Sequence, residues 1–290
     1  MNFPHAEPAL THTLLGPDTA WRRILQARDH DWQHTPLLET TEDGCVLRIE
    51  RGGAWHAMPA ASTAARELFD LFLPLVAGTG VRTIGQLGQS LDGRIATETG
   101  HSHYINDPEA LTHLHRLRAV VDAVLIGVGT ANADNPLLTV RHVDGPQPRR
   151  VVLDPNGRIR PDLNLLHDGT APVLLIQSPA SSHVAQACAH HVERIVLPLE
   201  GRGFSPTGIL DTLAARGLHR ILVEGGGDTL SRFVQAGRLD RLHLLVAPLL
   251  IGSGRPGLCL PPIDTLDSAL RPVSRSYACG RDTIFDLQLR

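Results

Sequence analysis

The sequence contains no lysine, because all 27 basic residues among its 290 positions are arginine. This absence excludes catalysis through a lysine Schiff base and phosphate binding by a Walker-type lysine. An anionic ligand must be bound by arginine, histidine or backbone amides, and arginine offers a planar, bidentate fork for such groups. The net charge of −3 gives no overall basic character. Nucleic acid is therefore not expected as a partner.

Cysteine patterns and long apolar runs are also missing. The four cysteines are scattered and form no CxxC pair, which argues against a structural zinc site or a redox pair and favours free thiols. No apolar segment approaches the roughly 20 residues that span a bilayer. The first residues show no charged stretch followed by an apolar run, as a signal peptide would. We therefore expect a soluble, cytoplasmic protein with no membrane partner.

The 16 histidines do not form a recognisable metal-binding pattern. His113 and His115 are two residues apart on a predicted helix and point to different sides. No HExxH motif is present, and two H-x-E matches lack the P-C-x-x-C partner of zinc deaminases. No G-x-S-x-G elbow favours a hydrolase either. We expect no metal site.

The composition changes near Gly78-Thr79-Gly80, which we take as a domain boundary between residues 1–80 and 81–290. The first segment holds all three tryptophans. It predicts a helix capped by Asp18, a hairpin turning at Asp43-Gly44, and an apolar helix over 62–76. That last helix is expected to pack on the main domain or on a second subunit. We find no motif for chemistry in this extension, so its role is left open.

From residue 81 onward, predicted strands alternate with predicted helices. This order predicts an α/β domain with a mostly parallel sheet flanked by helices. One helix begins at Asp107-Pro108 and is expected to bury Leu111, Leu114, Leu117 and Val121. Two final strands without an intervening helix predict an antiparallel edge. The predicted strands are 83–87, 123–127, 150–153, 173–176, 194–197, 221–223, 241–246 and 282–289, and the later helices are 182–190, 209–216 and 228–236.

Two glycine-bearing turns follow predicted strands. One is Gly127-Val128-Gly129-Thr130, and the other is Glu224-Gly225-Gly226-Gly227-Asp228. Open α/β sheets bind ligands at the carboxyl ends of their strands, and glycine lets a pyrophosphate approach the backbone. Either turn alone is equally consistent with a tight connection that binds nothing. Two turns at equivalent strand ends favour a ligand site.

Two carboxylates stand beside these turns. Glu224 ends an apolar strand, where a buried carboxylate is costly unless it is paired. It either caps backbone amides or binds a polar substrate. Asp134 follows the first turn and either caps a helix or turn or accepts a hydrogen bond from a ribose hydroxyl or substrate amine.

Several longer motifs occur in a fixed order along residues 81–290. Together they closely resemble the reductase domain of the bifunctional riboflavin-biosynthesis deaminase/reductase. The motifs are SLDGRIA at 90–96, GHSHYI at 100–105, HRLRA at 115–119, DAVLIGVGT at 122–130, DNPLLTVR at 134–141, PRRVVLD at 148–154 and VEGGG at 223–227.

This resemblance implies a dihydrofolate-reductase-like fold and an NADPH-dependent reductase of riboflavin biosynthesis. Such an enzyme reduces 5-amino-6-(5-phosphoribosylamino)uracil, a phosphorylated pyrimidine-sugar, to its ribitylamino form by hydride transfer from the nicotinamide to C1′. The protein's part is to hold two ligands in register and exclude water, which agrees with the lack of a strong nucleophile. The family's habit also implies a homodimer.

Carried over motif by motif, the resemblance implies cofactor contacts at Gly88, Tyr104, Thr130, Asp134, Gly225, Gly226 and Gly227. It implies substrate contacts at Ser102, Arg118, Leu138, Arg141 and Glu224, with Arg118 and Arg141 as ligands of the sugar phosphate. Glu224 and Asp134 are the candidate catalytic residues.

The sequence departs from the family pattern at two positions and lacks the deaminase domain. Gln86 stands where the family has a lysine, and Tyr104 stands where a tryptophan is common. The change at Gln86 keeps open a reductase of the same fold that acts on another pteridine- or pyrimidine-like substrate. A non-catalytic nucleotide-binding protein is the third alternative.

Overall fold

The computed structural model describes residues 14–42, 44–102, 105–181, 190–201 and 203–290. The chain divides into two compact units, Met1–Thr79 and Gly80–Arg290. Among the described residues, no helix combines the length and the apolar character that crossing a membrane requires.

The described residues of the first unit form two helices and a small antiparallel sheet. Helix α1 spans Pro17–Arg28, strands β1 to β3 span Leu37–Glu42, Cys45–Glu50 and Trp55–Met58, and helix α2 spans Thr63–Val76. The predicted hairpin is present, since Glu42 pairs with Cys45, although Asp43 of its turn lies outside the described residues. Gly16 rather than Asp18 occupies the cap position of α1, so that prediction is wrong.

Part of the apolar face of α2 is covered within its own unit. Phe72 makes an edge-to-face contact with Trp21 of α1, at 5.6 Å between ring centroids, and Phe69 lies 4.8 Å from the ring of Trp55. Ser62 caps the helix by accepting a hydrogen bond from the Ala65 amide. Part of the apolar face of α2 therefore packs against aromatic side chains of residues 1–79, and its packing on the main domain or on a second subunit stays a prediction.

Within the described ranges, the second unit is built on one nine-stranded sheet, and its strand order is β13-β14-β11-β4-β10-β6-β7-β8-β9. Strands from β11 to β9 are all parallel to their neighbours, whereas β14 and β13 add an antiparallel edge. The strands are β4 Arg82–Ser90, β5 Arg94–Thr97, β6 Ala123–Gly127, β7 Arg149–Asp154, β8 Val173–Gln177, β9 Val192–Val196, β10 Arg220–Glu224, β11 Arg241–Ala247, β12 Gly254–Pro256, β13 Val273–Cys279 and β14 Asp282–Gln288.

Four helices accompany these strands in the described part of this unit, namely α3 Pro108–Val120, α4 Val128–Asp134, α5 Pro206–Ala214 and α6 Gly227–Gln235. The mostly parallel sheet and its antiparallel edge confirm the predicted architecture. The helix predicted over 182–190 falls almost entirely outside the described residues. The sequence did not reveal α4, β13, or the small pairing of β5 with β12.

Helix α3 buries part of the predicted face. Leu117 and Val121 are buried as predicted, whereas Leu111 is 40% exposed, and Ala110 and His113 are buried instead. The first three predicted positions are each three residues apart, and such a series drifts around a helix of 3.6 residues per turn. Leu111 and Leu114 instead line a cleft. Asp107 does stand before the helix, but its carboxylate accepts hydrogen bonds from the backbone and side chain of Arg281 rather than capping α3.

Candidate active site

A cleft of about 1180 Å³ opens at the carboxyl ends of β4, β10, β6 and β7, which lie side by side in the sheet. This volume exceeds the range of about 300 to 1,000 Å³ typical of a pocket for one small ligand. Its lining mixes apolar side chains such as Leu87 and Phe204 with charged ones such as Asp228 and Arg232. The cleft therefore has room for two ligands in contact.

Most of the residues predicted to bind a cofactor line this cleft. The set comprises Gly88, Thr130, Asp134, Gly225, Gly226 and Gly227, and Ser102 from the predicted substrate group joins it. The two glycine-bearing turns meet here because β6 and β10 are parallel neighbours. Tyr104 lies outside the described residues. The fold thus brings together side chains from widely separated motifs.

The turn after β10 is shaped by its glycines. Gly225 and Gly226 have φ values of +70° and +66°, a region that side-chain-bearing residues rarely adopt. A Cβ on Gly226 would stand 3.0 Å from the Thr130 hydroxyl, and one on Gly227 would stand 2.0 Å from the backbone oxygen of Gly257. Gly226 also precedes α6, whose free amides face an anion favourably. The turn is therefore a narrow cradle bounded by α4 and residue 257.

Glu224 and Arg118 form a buried, bidentate salt bridge. Arg118 Nε donates to Glu224 Oε1 at 2.8 Å, and Nη2 donates to Oε2 at 2.7 Å. Arg118 Nη1 also donates to the backbone oxygen of Thr139 at 3.1 Å. The two side chains are only 7% and 9% exposed, so each charge requires the other. All three nitrogens of Arg118 are thus engaged, although it was predicted to bind a phosphate.

The other predicted substrate residues join this salt bridge in one cluster. Arg141 Nη1 donates to the Thr139 hydroxyl at 3.2 Å, and its backbone amide donates to His115 Nδ1 at 3.0 Å. Leu138 is buried with a φ of +54°, which is uncommon for a branched residue. Among the described residues, those lining the cleft include Ser102 but not Arg118, Leu138, Arg141 or Glu224.

His115 is held as a neutral ring. Its Nδ1 accepts from an amide, so the proton resides on Nε2. Burial, followed by the charges of Arg118, His142 and Arg141, lowers the pKa of His115 to about 4.

Several cleft residues had no sequence motif to mark them. Asn106 lies so close to Gly88 that a Cβ there would stand 2.0 Å from its amide oxygen, which explains why glycine occupies position 88. Phe204, Arg158, Arg232 and Arg255 also line the cleft. They come from loops and from one helix face, and only the strand order brings them to the site. In the described part of the chain, no group of three or more His, Cys, Asp or Glu is placed to hold a metal ion.

Comparison with known proteins identifies the second unit. The family model of the RibD C-terminal domain matches residues 83–285. A riboflavin biosynthesis protein RibD from Bacillus amyloliquefaciens is 36% identical over 209 residues, which is 71% of this chain and 56% of the relative. A 2,5-diamino-6-ribosylamino-4(3H)-pyrimidinone 5′-phosphate reductase from Methanothermobacter thermautotrophicus is 32% identical over 208 residues, 69% of this chain and 94% of the relative.

Solved structures agree with these sequence relatives. The diaminohydroxyphosphoribosylaminopyrimidine deaminase/5-amino-6-(5-phosphoribosylamino)uracil reductase of Thermotoga maritima matches with a TM-score of 0.62 at 25% identity, covering 78% of this chain and 61% of that one. This match confirms the expected fold class. The chain spans 58% and 56% of the length of two of its curated RibD relatives.

Because His115 is neutral in the folded protein, the stability of the protein should depend on pH, and this dependence can be measured. The folded pKa of about 4 lies below the ordinary value of 6.5, so between these values the unfolded chain binds a proton that the folded chain does not. The contribution of His115 to the free energy of unfolding is therefore complete above pH 6.5 and is lost as the pH falls toward 4. We expect the melting temperature of His115→Gln to depend less on pH than that of the wild type, measured by circular dichroism across this window.

Exposed His219 provides the control, since His219→Gln leaves the buried cluster intact. Burial also lowers the pKa of His243 to about 3 and that of His113 well below its usual value, so some pH dependence persists in the variant. Equal pH profiles for wild type and His115→Gln would contradict the assignment.

Proposed function

Since this chain belongs to the RibD C-terminal domain family, we propose that it is an NADPH-dependent reductase of riboflavin biosynthesis. Its substrate would be 5-amino-6-(5-phosphoribosylamino)uracil, reduced to the ribitylamino form. The observation that carries the proposal is the cleft at the ends of β4, β10, β6 and β7, where two glycine-bearing turns meet. The sheet thus offers a dinucleotide a site at its strand ends.

The residues present fit a nicotinamide dinucleotide. The backbone of Gly225 to Gly227 is open to close approach by a pyrophosphate, and the N-terminus of α6 favours its charge. The Thr130 hydroxyl stands beside Gly226 and supplies a hydrogen-bonding group. When bound, NADPH would supply the hydride. The protein would hold the nicotinamide and the substrate side by side and exclude water.

The end of the cleft at β4 is the proposed place for the substrate. Gln86, Ser102 and Asn106 line it with polar groups. Asp134 is exposed in the cleft and is the better placed of the two candidate catalytic carboxylates, because both oxygens of Glu224 bind Arg118. We propose that the Glu224–Arg118 bridge fixes the start of the glycine turn, since Glu224 immediately precedes Gly225. Arg118, Leu138 and Arg141 remain candidates for the phosphorylated end of the substrate.

A related pyrimidine is the second candidate substrate. Gln86 lines the cleft as a neutral amide where the family places a lysine. The reductase of Methanothermobacter thermautotrophicus, of which this chain covers 94%, is named for a 2,5-diamino-6-ribosylamino-4(3H)-pyrimidinone 5′-phosphate, which carries one amino group more than the aminouracil substrate.

The proposed reaction is tested with purified protein, NADPH and each of the two pyrimidine phosphates. We expect NADPH absorbance to fall with one of them and the ribitylamino product to appear in equal amount by chromatography. NADPH binding without oxidation in either mixture would favour the non-catalytic alternative, and lack of NADPH binding would contradict the proposal altogether.

The cofactor turn is tested by Gly226→Ala. The new methyl group meets the Thr130 hydroxyl at 3.0 Å and strains a backbone of positive φ, so we expect the Kd for NADPH, measured by fluorescence titration, to rise by about tenfold or more. Gly217→Ala is the matched control, because Gly217 has a similar φ of +74° with open space around it. It should lower stability by about 1 kcal/mol without changing the Kd. Equal Kd values for both variants would place the cofactor elsewhere.

We also propose that the protein is a cytoplasmic homodimer. Leu250, Leu266 and Val273 are each more than 70% exposed, and the last of these begins the edge strand β13. An open sheet edge that begins with an exposed apolar side chain, together with further exposed apolar residues, favours pairing with a second copy. Sedimentation should give twice the 31.4 kDa chain mass, and a monomer at micromolar concentration would contradict the dimer.

A further inference from the structure

Asp92 belongs to the motif at 90–96, to which the proposed function assigns no role. It lies in the turn between β4 and β5, yet its carboxylate accepts hydrogen bonds from two backbone amides that are 159 and 160 residues away in the sequence. Ile251 donates to Oδ1 at 3.2 Å, and Gly252 donates to Oδ2 at 2.6 Å. The Ser90 hydroxyl also donates to Oδ1, at 2.5 Å. Asp92 therefore joins two distant segments of the second unit.

These hydrogen bonds keep the Asp92 carboxylate ionised and require both of its oxygens. The Ser90 hydroxyl, followed by the amides of Gly252 and Ile251, lowers the pKa of Asp92 to about 2. Each oxygen faces a backbone N–H, which can only donate, so an acceptor is needed on both sides. An asparagine would place its NH2 group against one of these amides and lose that hydrogen bond.

Further hydrogen bonds join the same two segments. Arg94 Nε donates to the backbone oxygen of Gly252 at 3.0 Å, and the amide of Gly257 donates to the backbone oxygen of Gly93 at 3.0 Å. Strand β12 lies between these contacts and pairs with β5 in antiparallel fashion. Asp92 binds the chain immediately before β12, so it fixes where this strand begins.

Residues 251–259, which we call the strap, run from Asp92 to helix α6. At the far end, the amide of Cys259 donates to the Ser231 hydroxyl at 2.8 Å, and Gln235 Nε2 donates to the backbone oxygen of Cys259 at 3.0 Å. Ser231 and Gln235 both belong to α6. The strap is therefore held at two ends, by the turn after β4 and by the helix that follows the glycine turn.

Between its two ends the strap lies against the glycine turn. Arg255 and Pro256 line the cleft. The backbone oxygen of Gly257 occupies the space that a side chain at Gly227 would need, and the backbone oxygen of Pro256 lies 3.1 Å from the same point. The strap is thus one boundary of the cradle at the end of β10, and α4 is the other.

We propose that Asp92 is a positioning residue for the cofactor, because it holds the strap against the glycine turn and thereby strengthens binding of the dinucleotide. The inference rests on the proposed function for the identity of the ligand at this turn. Asp92 is not among the described residues that line the cleft, so it acts through the strap. A strap that is already in place loses little conformational freedom when a ligand binds, and such preorganisation raises affinity.

The proposal is tested with Asp92→Asn, which is nearly identical in shape. Loss of a hydrogen bond to a charged group should raise the Kd for NADPH by about tenfold, measured by fluorescence titration. In steady-state assays the KM for NADPH should rise while kcat and the KM for the pyrimidine phosphate stay unchanged, as expected when only cofactor binding is weakened. A purely structural role would lower the melting temperature and leave the Kd unchanged in the folded protein.

Asp31→Asn is the matched control. Asp31 is also exposed and accepts hydrogen bonds from two backbone amides, those of Gln33 and His34, but it belongs to the first unit. This variant should bind NADPH as the wild type does. Equal Kd values for wild type, Asp31→Asn and Asp92→Asn would overturn the proposal.

Gly254→Ala tests the strap without changing Asp92. Its new methyl group would collide with the backbone oxygen of Ala96 and displace β12 from β5, so the Kd for NADPH should rise here too. Because both substitutions act through one segment, the double variant should bind NADPH no more weakly than the weaker single variant. Losses that simply add would show that Asp92 acts by another route and would overturn the proposal.

Hydrogen exchange of the ligand-free protein follows the strap directly. In Asp92→Asn the amides of residues 251–257 should exchange faster than in the wild type, because the segment opens more easily. Unchanged exchange there would contradict the proposed route even if NADPH bound more weakly.

The outcome is separable from that of the proposed reaction. If the wild type binds NADPH but reduces neither pyrimidine phosphate, and Asp92→Asn binds NADPH more weakly, the role of Asp92 stands and the substrate assignment falls. If turnover is observed and Asp92→Asn retains the wild-type Kd, the role of Asp92 falls and the reaction stands. Lack of NADPH binding by the wild type would overturn both.

Discussion

The salt bridge between Glu224 and Arg118 is the interaction on which the site depends. It joins the end of a central strand to helix α3 across a nearly dry interface. A buried ion pair of this kind adds little net stability compared with apolar packing, but losing one partner is costly because the other charge is left unpaired. Its value here is positional: it fixes the backbone where β10 ends and the glycine turn begins, and through Thr139 it orders the segment that carries Arg141.

The lack of lysine determines which kind of cation this site can present. Every cation at or near the cleft is a guanidinium, whose donors point in fixed directions. Some of these guanidinium groups, such as those of Arg118 and Arg160, are paired with carboxylates of the protein. Others, such as that of Arg158, line the cleft and have no partner among the described residues. Sequence alone does not distinguish the two kinds, because the difference lies in whether a carboxylate from a distant segment reaches the guanidinium.

Much of the fold could be predicted from the sequence, and less of the site. The strands at 123–127 and 221–223 were recognisable as short apolar runs ended by glycine, and the parallel arrangement followed from their alternation with helices. The strand β13 was missed because its residues are mostly exposed and show no apolar pattern. Helix α4 was missed because its seven residues, which include Gly129, resemble a turn. The pairing of Arg118 with Glu224 depends on tertiary structure alone, so the sequence did not reveal that these two predicted substrate residues bind each other.

The position of β4 in the sheet affects the order in which the site folds during synthesis. Arg82 at its start pairs with Arg220 on one side, and Ile84 pairs with Arg241 on the other. Both partners are translated long after β4 itself, so during synthesis the strand emerges with neither edge covered. Contacts that join distant parts of a chain close slowly. The cleft therefore forms late, because a nascent fragment that ends before β10 lacks one of the four strands that border it and the glycine turn that follows that strand.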